Sequence, residues 1–254
     1  MLGAIIGDIA GSRFEFNPMN RYHFELFTKE CDFTDDTICT VAVADAIMNE
    51  KDFSECVHEW CRRYPYPMGG YGGSFARWVH SDEPAPYKSY GNGAAMRVSP
   101  AAWLADSQEM ALELAAKTAA ITHNHPEGIK GAQTVAQAIY NARQGMDVKA
   151  VLDNCVKFSG YNIDLELDDV QNKFDETCQG TVPVALWIVG QSTDFEDAIR
   201  RAVSLGADAD TLGAIVGSIA EAIWGIPEDI KQAVVPYLTD EMKEIVELFY
   251  KRIS

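Results

Sequence analysis

The chain has few basic residues, and this shortage excludes one large class of partner. Of its 254 residues, Lys and Arg together contribute 21 against 38 Asp and Glu, so the formal net charge is -17. A surface this acidic repels the phosphate backbone of nucleic acids. We therefore expect no nucleic acid partner.

Long apolar runs are also missing. No stretch of about 18 apolar residues occurs, so we expect no membrane-spanning segment. The first residues, from Met1 to Asp8, contain no basic region, and Asp8 interrupts the apolar run early. This pattern argues against a signal peptide and leads us to expect a cytoplasmic protein.

The cysteines lack the spacing of a metal site. None of the six forms a CxxC pair, and they are scattered through the chain as Cys31, Cys39, Cys56, Cys61, Cys155 and Cys178. The sequence gives no secretory context for disulfides and no second set of zinc ligands. We predict reduced thiols that mostly fill the core.

Strand patterns are scarce, whereas helical patterns dominate. The only alternating segment, residues 21–27, is short and isolated. Polar start signals precede apolar helical runs at Asp106–Glu109, at Asp52 with Glu55, and at Thr193 with Glu196. At typical helix and loop lengths the chain would hold roughly ten or more helices. We predict an all-α fold.

The chain shows no internal boundary. A length of 254 residues suits one large domain or two small ones, and a content of 47% hydrophobic residues excludes the disordered class. Residues 64–70 and 82–86 have the composition of loops, and the acidic segment 161–179 is predicted to be a long surface connection. We therefore predict a single compact multi-helix domain over residues 1–254.

Two acidic motifs carry the strongest chemical signal. The first acidic motif is Thr34-Asp35-Asp36-Thr37, and the second is Gly206-Ala207-Asp208-Ala209-Asp210-Thr211. Each stands directly before an apolar helical run. Carboxylates and threonine hydroxyls are oxygen ligands of the kind that Mg²⁺ and Mn²⁺ prefer. If the motifs meet, two divalent cations would offset the repulsion between four carboxylates.

Helix capping is the competing interpretation of both motifs. Asp and Thr are good N-cap residues and favour the positive end of a helix. Two helix ends, however, cannot use four carboxylates and several hydroxyls as caps. The repeated composition therefore favours metal ligation over capping alone.

Three further segments combine small and polar residues. Residues 3–12 place glycine and alanine at helical spacing, which permits close packing, and lead to Glu15, which taken alone would be a solvated carboxylate. Residues 89–97 form a glycine-rich turn entering a helix, which suits either a phosphate or an ordinary helix start. His123 and His125 lack matching zinc ligands and favour polar packing or a ligand contact.

Taken together, these motifs resemble those of the ADP-ribosylglycohydrolase family, of the dinitrogenase-reductase-activating type. Gly7 to Glu15 resembles its N-terminal GDxxGxxxE segment, residues 91–97 its GNGxxMR segment, and Thr122-His123 its TH segment. The two acidic motifs resemble its two metal motifs, although Ala207 stands where the family often has a second glycine. The five segments occur in order across nearly the whole chain.

The resemblance implies a fold and a site. It implies an all-α fold with two Mg²⁺ or Mn²⁺ ions in a central cleft. It implies metal-ligand roles for Thr34, Asp35, Asp36, Asp208, Asp210 and Thr211. It implies an acidic active-site role for Glu15 and ADP-ribose contacts from Ser89, Tyr90, Gly91, Asn92, Gly93, Met96 or Arg97, and His123. Glu15, Asp35 and Asp210 are the candidates for the acid or base.

The leading hypothesis is a metal-dependent hydrolase that removes ADP-ribose from a protein side chain or a small-molecule conjugate. Such a reaction needs a water nucleophile, stabilisation of an oxocarbenium-like transition state, and protonation of the leaving group. One alternative is a non-catalytic module that binds ADP-ribose or a nucleotide on the same fold. Another is a metal-dependent phosphoester hydrolase. The linkage, the preferred metal and the oligomeric state stay open at this level.

Overall fold

The helices of the chain pack together without any β-sheet. In the computed structural model, which describes residues 1–254, only an isolated bridge between Gly91 and Thr177 has β geometry. Two 3₁₀ turns, Ser12–Phe14 and Val235–Tyr237, supplement fifteen α-helices. These helices are α1 (Leu2–Gly11), α2 (Asp35–Met48), α3 (Phe53–Arg63), α4 (Gly73–His80), α5 (Gly93–Met96), α6 (Ser99–Leu104), α7 (Gln108–Ala120), α8 (Pro126–Arg143), α9 (Val148–Ser159), α10 (Leu167–Val170), α11 (Cys178–Gln191), α12 (Phe195–Val203), α13 (Ala209–Trp224), α14 (Glu228–Val234) and α15 (Asp240–Ile253). The predicted all-α class is confirmed.

Helices α1 and α13 cross at backbone contact. A Cβ atom added to Gly7 of α1 would lie 1.9 Å from the carbonyl oxygen of Gly213 in α13. Near the next turn, a Cβ added to Gly11 would lie 2.3 Å from the carbonyl oxygen of Ala209. Side chains cannot occupy such gaps, so the glycines at helical spacing set the distance between the two helices. This contact brings the end of α1 to the start of α13, where the second acidic motif lies.

The remaining helices surround this pair. Helices α8, α11 and α12 pack against α13, while α2 packs against α1 and carries α3 and α6 on its other sides. One continuous core of 64 buried residues extends from Met1 to Phe249. The two acidic motifs are distant in sequence, but the same core holds both.

The predicted helix starts are correct to within one residue. Asp52 caps α3 as predicted, with its carboxylate accepting from the backbone N–H of Glu55 at 3.0 Å. Helix α7 is capped by Ser107 rather than Asp106, and α12 by Asp194 rather than Thr193. In both helices the true cap is the neighbouring polar residue, whose side chain reaches the N–H three positions on.

The acidic connection 161–179 contains more order than predicted. A single helical turn, α10, lies within it, and α11 begins at Cys178. The Asp169 carboxylate accepts from the backbone N–H of Glu166 at 3.0 Å, and the Asp169 N–H donates to the Glu166 carbonyl at 2.9 Å, which stabilises a turn that has little apolar periodicity. The predicted loops at 64–70 and 82–86 contain no helix or strand.

All six cysteines are buried and form no disulfide, as predicted. The closest pair, Cys39 and Cys61, has a sulfur–sulfur distance of 3.8 Å, which is a contact between thiols. The longest helix, α8, has 18 residues with polar positions throughout. None of the helices combines the length and hydropathy needed to cross a membrane.

Candidate metal centre and ligand cleft

A cleft of about 400 Å³ lies at the N-terminal ends of α2, α5 and α13. Most of the predicted site residues line it: Glu15, Asp35, Asp36, Ser89, Gly91, Asn92, Gly93, Met96, Arg97, His123, Asp208, Asp210 and Thr211. Thr34 is buried at the first acidic motif, and Tyr90 is 47% exposed with its ring 5.2 Å from that of His125. The fold therefore gathers segments from across the chain into one cavity.

The first acidic motif is held in place by Asp8 of α1. The Asp8 carboxylate accepts from the backbone N–H of Thr34 at 3.0 Å and from its hydroxyl at 2.8 Å. It also accepts from the backbone N–H of Thr37 at 3.1 Å and from the Thr37 hydroxyl. Four donors on one buried carboxylate fix the turn that begins α2, and with it the positions of Asp35 and Asp36.

The second acidic motif is positioned by a glycine and an amide. Gly206 has a φ of 74°, which favours glycine, and it turns the chain toward α13. Asp208 accepts a hydrogen bond from the side-chain amide of Asn92 at 2.7 Å. The hydroxyl of Thr211, in the first turn of α13, donates to Asp36 at 3.2 Å. That last bond joins the two motifs directly.

Capping explains only part of the two motifs. The Thr34 side chain accepts from the backbone N–H of Asp36, so it does cap α2. Asp208 occupies the N-cap position of α13 but makes no cap hydrogen bond, because its carboxylate is turned toward Asn92. Asp35 lies in the first turn of α2 and Asp210 in the first turn of α13. The helix dipole favours negative charge at these positions but leaves the carboxylate oxygens free for other partners.

Several buried carboxylate oxygens in the cleft have no protein partner. They are Oδ1 of Asp36, Oδ1 of Asp210 and Oε2 of Glu15. Carboxylate oxygens of Glu15, Asp208 and Asp210 also lie within 4.8 Å of one another. Buried charges without partners are costly, and divalent cations are the groups that satisfy several carboxylate oxygens at once. The residues present therefore fit a divalent cation site.

Crowding alters the protonation of these carboxylates. Burial, followed by the charge of Asp8, raises the pKa of Asp35 to about 7. Burial, followed by the charge of Asp208, raises the pKa of Glu15 to about 8. For the same reasons the pKa of Asp210 is raised well above its usual range. Each shift shows that the folded chain disfavours negative charge here unless a cation is close.

One buried cation partly offsets this acidity. Arg97 is 0% exposed and forms no salt bridge; its guanidinium donates to the backbone carbonyl of Thr118 at 2.9 Å and to the hydroxyl of Thr122 at 2.7 Å. Its charge acts to lower the pKa of Asp35. Arg97 thus borders the cleft from behind His123, and Met96 beside it is 4% exposed.

The glycine-rich turn approaches His123 closely. A Cβ added to Gly91 would lie 3.3 Å from Nε2 of His123, and one added to Gly93 would lie 3.1 Å from the same atom. Asn92 between them donates its backbone N–H to the carbonyl of Glu176 at 2.7 Å. The backbone of the glycine-rich turn and the Nε2 edge of His123 therefore lie side by side in the cleft wall.

The sequence pattern missed part of the cleft wall. Phe16, residues 69–75, Tyr87 and Glu176 also line the cavity. Gly69 has a φ of +76°, and a Cβ there would lie 2.3 Å from Oε2 of Glu15. The density of glycine in residues 69–73 is a signal for such a close approach, whereas the acidic segment containing Glu176 shows no pattern of its own.

Comparison with known proteins identifies relatives over most of the chain. The sequence profile of the ADP-ribosylglycohydrolase family matches residues 1–254. An ADP-ribosylarginine hydrolase of Pseudomonas putida (strain GB-1) is 26% identical over 263 residues, covering 89% of this chain and 70% of that protein. The ADP-ribosyl-[dinitrogen reductase] glycohydrolase of Rhodospirillum rubrum is 26% identical over 249 residues, covering 89% of this chain and 85% of that protein.

A solved structure has the same fold. A chain described as an ADP-ribosylglycohydrolase-related protein complex superposes with a TM-score of 0.77 at 24% identity. The superposition covers 100% of this chain and 96% of the other. The arrangement of helices around α1 and α13 is therefore shared with that protein.

Proposed function

The chain belongs to the ADP-ribosylglycohydrolase family, and we propose that it hydrolyses the glycosidic bond of ADP-ribosyl conjugates in a reaction that depends on divalent cations. The products would be ADP-ribose and the freed protein side chain or small molecule. One observation carries the proposal: two acidic motifs from distant parts of the chain meet with Glu15 in one cleft, with unpartnered buried carboxylate oxygens. The names of relatives acting on ADP-ribosylated arginine and on ADP-ribosylated dinitrogen reductase support the substrate class.

Two Mg²⁺ or Mn²⁺ ions are the proposed cofactors. Their proposed ligands are Thr34, Asp35, Asp36, Asp208, Asp210 and Thr211. This set offers only oxygen atoms, which suits hard cations. The Thr34 hydroxyl donates to Asp8 and accepts from a backbone N–H, and a lone pair stays available. When bound, divalent cations supply charge stabilisation and acidify water.

The proton transfers are assigned to carboxylates of the chain. Glu15 is half-buried at the cleft edge, and one of its oxygens has no partner. A carboxylic acid with a raised pKa can protonate a leaving group near neutral pH. Asp35 and Asp210 are the other candidates, because each faces the same cavity from a first helical turn. One of the three would deprotonate the attacking water.

The glycine-rich turn and His123 are the proposed ADP-ribose site. Ser89, Tyr90, Gly91, Asn92, Gly93, Met96, Arg97 and His123 are the proposed contacts. The glycine positions leave backbone accessible at the wall, and hydrogen-bond donors there suit an anionic diphosphate. Of this group, Tyr90 would contribute from outside the cleft wall, since its exposed ring lies beside His125.

Binding without catalysis is the second candidate function. It is favoured only if the cleft holds ADP-ribose without turnover. A metal-dependent phosphoester hydrolase is the third, since paired carboxylate sites also suit phosphoryl chemistry. The three make different products: ADP-ribose, none, or inorganic phosphate.

A panel of conjugates separates these functions. Arginine-linked, serine-linked and small-molecule-linked ADP-ribose would each be incubated with the full chain and Mg²⁺, Mn²⁺ or EDTA, with ADP-ribose and phosphate measured. We expect metal-dependent release of ADP-ribose from at least one linkage, and loss of this activity in Asp210→Asn. The matched control is Asp229→Asn, an exposed aspartate in the first turn of α14. Absence of release from every linkage would overturn the proposal.

A further inference from the structure

A chain of hydrogen bonds runs behind His123. It begins at Arg97, whose guanidinium donates to the Thr122 hydroxyl at 2.7 Å. The Thr122 oxygen is in turn 2.7 Å from Nδ1 of His123. All three residues are buried: Arg97 and Thr122 are 0% exposed and His123 is 5% exposed. The two hydrogen bonds are therefore shielded from water. The direction of each bond follows from which of the two groups carries a proton.

The donor inventory sets the direction of the second bond. A guanidinium only donates, so the Thr122 oxygen must accept from Arg97. The hydroxyl still has one proton, and Nδ1 of His123 is the only acceptor in contact with it. If Nδ1 carried the proton instead, the buried hydroxyl hydrogen would have no acceptor, which is costly. The hydroxyl therefore donates to Nδ1.

The ring proton must then be on the other nitrogen. A neutral imidazole with Nδ1 accepting carries its proton on Nε2. Burial, and next the charge of Arg97, hold the pKa of His123 well below its usual range, so the ring is neutral. Nε2 has no hydrogen-bond partner within the protein and lies against Gly91 and Gly93 in the cleft wall.

We propose that Arg97 and Thr122 are positioning residues that hold His123 as the Nε2–H tautomer, so that this N–H donates to an acceptor oxygen of the bound ligand. Taking ADP-ribose as that ligand rests on the proposed function. In this role Arg97 acts on His123 through the Thr122 hydroxyl. An imidazolium would donate Nδ1–H to Thr122 and leave the buried Thr122 hydroxyl proton without an acceptor. A flipped ring would lose the contact between Nδ1 and Thr122.

The tautomer can be measured without any substrate. The full chain labelled with ¹⁵N-histidine would be studied by NMR at neutral pH, with the His123 signals identified by their loss in His123→Gln. We expect a neutral ring protonated on Nε2. A ring protonated on Nδ1, or an imidazolium, would overturn the inference, whatever the protein does to ADP-ribosyl conjugates.

Substitutions of Thr122 test the positioning role. Thr122→Val removes the hydroxyl at nearly the same volume and should give a mixture of tautomers, while Thr122→Ser should restore the wild-type signal. Thr118→Val is the matched control, because it deletes another fully buried threonine hydroxyl, which bonds only to Ala115. His125, whose Nδ1 accepts from the backbone N–H of Glu127, serves as an internal reference. An unchanged His123 signal in folded Thr122→Val would refute the role of Thr122.

Ligand binding completes the test, with ADP-ribose as the probe in the presence of Mg²⁺. We expect ADP-ribose to shift the His123 signals. We also expect it to bind more weakly to Thr122→Val, with recovery in Thr122→Ser. The loss should follow the drop in the Nε2–H population, about twofold for an even mixture of tautomers. Binding that leaves the His123 signals unmoved would overturn the ligand contact. No binding at all would refute the proposed function instead, and the tautomer measurement would still decide the role of Arg97 and Thr122. If Thr122→Val does not fold, Thr122→Ala makes the same test, because it also removes the hydroxyl.

Discussion

Replacing Gly7 with alanine should force apart α1, whose Asp8 supports the first acidic motif, and α13, which begins at the second acidic motif. The added Cβ atom would lie 1.9 Å from the carbonyl oxygen of Gly213 and 2.2 Å from its carbonyl carbon. Both are backbone atoms within α13, so no side-chain rotation can relieve the overlap. Restoring an ordinary van der Waals distance requires a movement of about 1.5 Å between α1 and α13.

The cost of this movement can be bounded. Overpacking in a well-packed core typically costs about 1–3 kcal/mol, and here the overlapping atoms cannot rotate away. We therefore expect Gly7→Ala to lower the free energy of unfolding by about 3 kcal/mol or more, a large share of the roughly 5–15 kcal/mol typical of a domain. Gly213→Ala should cost less, since its Cβ would lie 2.5 Å from the carbonyl oxygen of Gly7.

The assay is urea unfolding followed by circular dichroism, with Mn²⁺ affinity measured by calorimetry on each folded variant. Gly72→Ala is the control for the unfolding measurement, because a Cβ at Gly72 meets nothing within 4 Å and its φ of -53° suits any residue. The double variant of Gly7 and Gly213 should cost less than the sum of the single changes, because both relieve the same contact by the same movement. A Gly7→Ala protein as stable as wild type would refute the view that backbone contact sets the helix separation.

Three further predictions concern the acidic cleft. Because the pKa of Asp35 is raised to about 7 and that of Asp208 to about 6, the metal-free folded chain holds protons that the unfolded chain releases. The stability of the metal-free protein should therefore fall as pH rises from 5 to 8, and Mn²⁺ should raise the melting temperature more at pH 8 than at pH 5. Melting curves recorded in EDTA and in Mn²⁺ check this. A rise in metal-free stability over that pH range would contradict it. Asp210→Asn should weaken Mn²⁺ binding at least tenfold. The EDTA-treated variant should be as stable as wild type or more stable, because the substitution removes one of several repelling carboxylates. Equal Mn²⁺ affinity in calorimetry would exclude Asp210 as a ligand. Glu15→Gln should lower the turnover of the cleaved conjugate about 10²-fold or more with Mn²⁺ affinity largely kept, and unchanged turnover would remove Glu15 from the chemistry.

The local patterns identified the fold class and most of the cleft because they depend on neighbouring residues. The start of α2 follows from Thr34 as a cap, and the close helix contact follows from glycines at helical spacing in residues 3–11. The apolar run after each acidic motif correctly indicated helices α2 and α13. Each of these signals is contained within a few turns of one helix.

Other features had no local signal. Glu176 enters the cleft because the segment before α11 folds back toward Asn92, whose backbone N–H it binds. Asp8 interrupts an apolar run in the sequence. In the structure, four donors from the N-cap and first turn of α2 make it the support of the first acidic motif. Such roles depend on partners more than twenty residues away, which no periodicity encodes.

By itself, the sequence determined the all-helical class, the excess of negative charge and the oxygen chemistry of the candidate ligands, since these depend on residue identity and short spacings. Only the tertiary structure decided that Thr211 meets Asp36 across 175 residues of sequence, and that Glu15 lies beside Asp208 and Asp210. The physical reason is the packing of α1 against α13. Backbone contact at Gly7 and Gly11 brings two remote helix ends together, and the carboxylates at those ends then share one cleft.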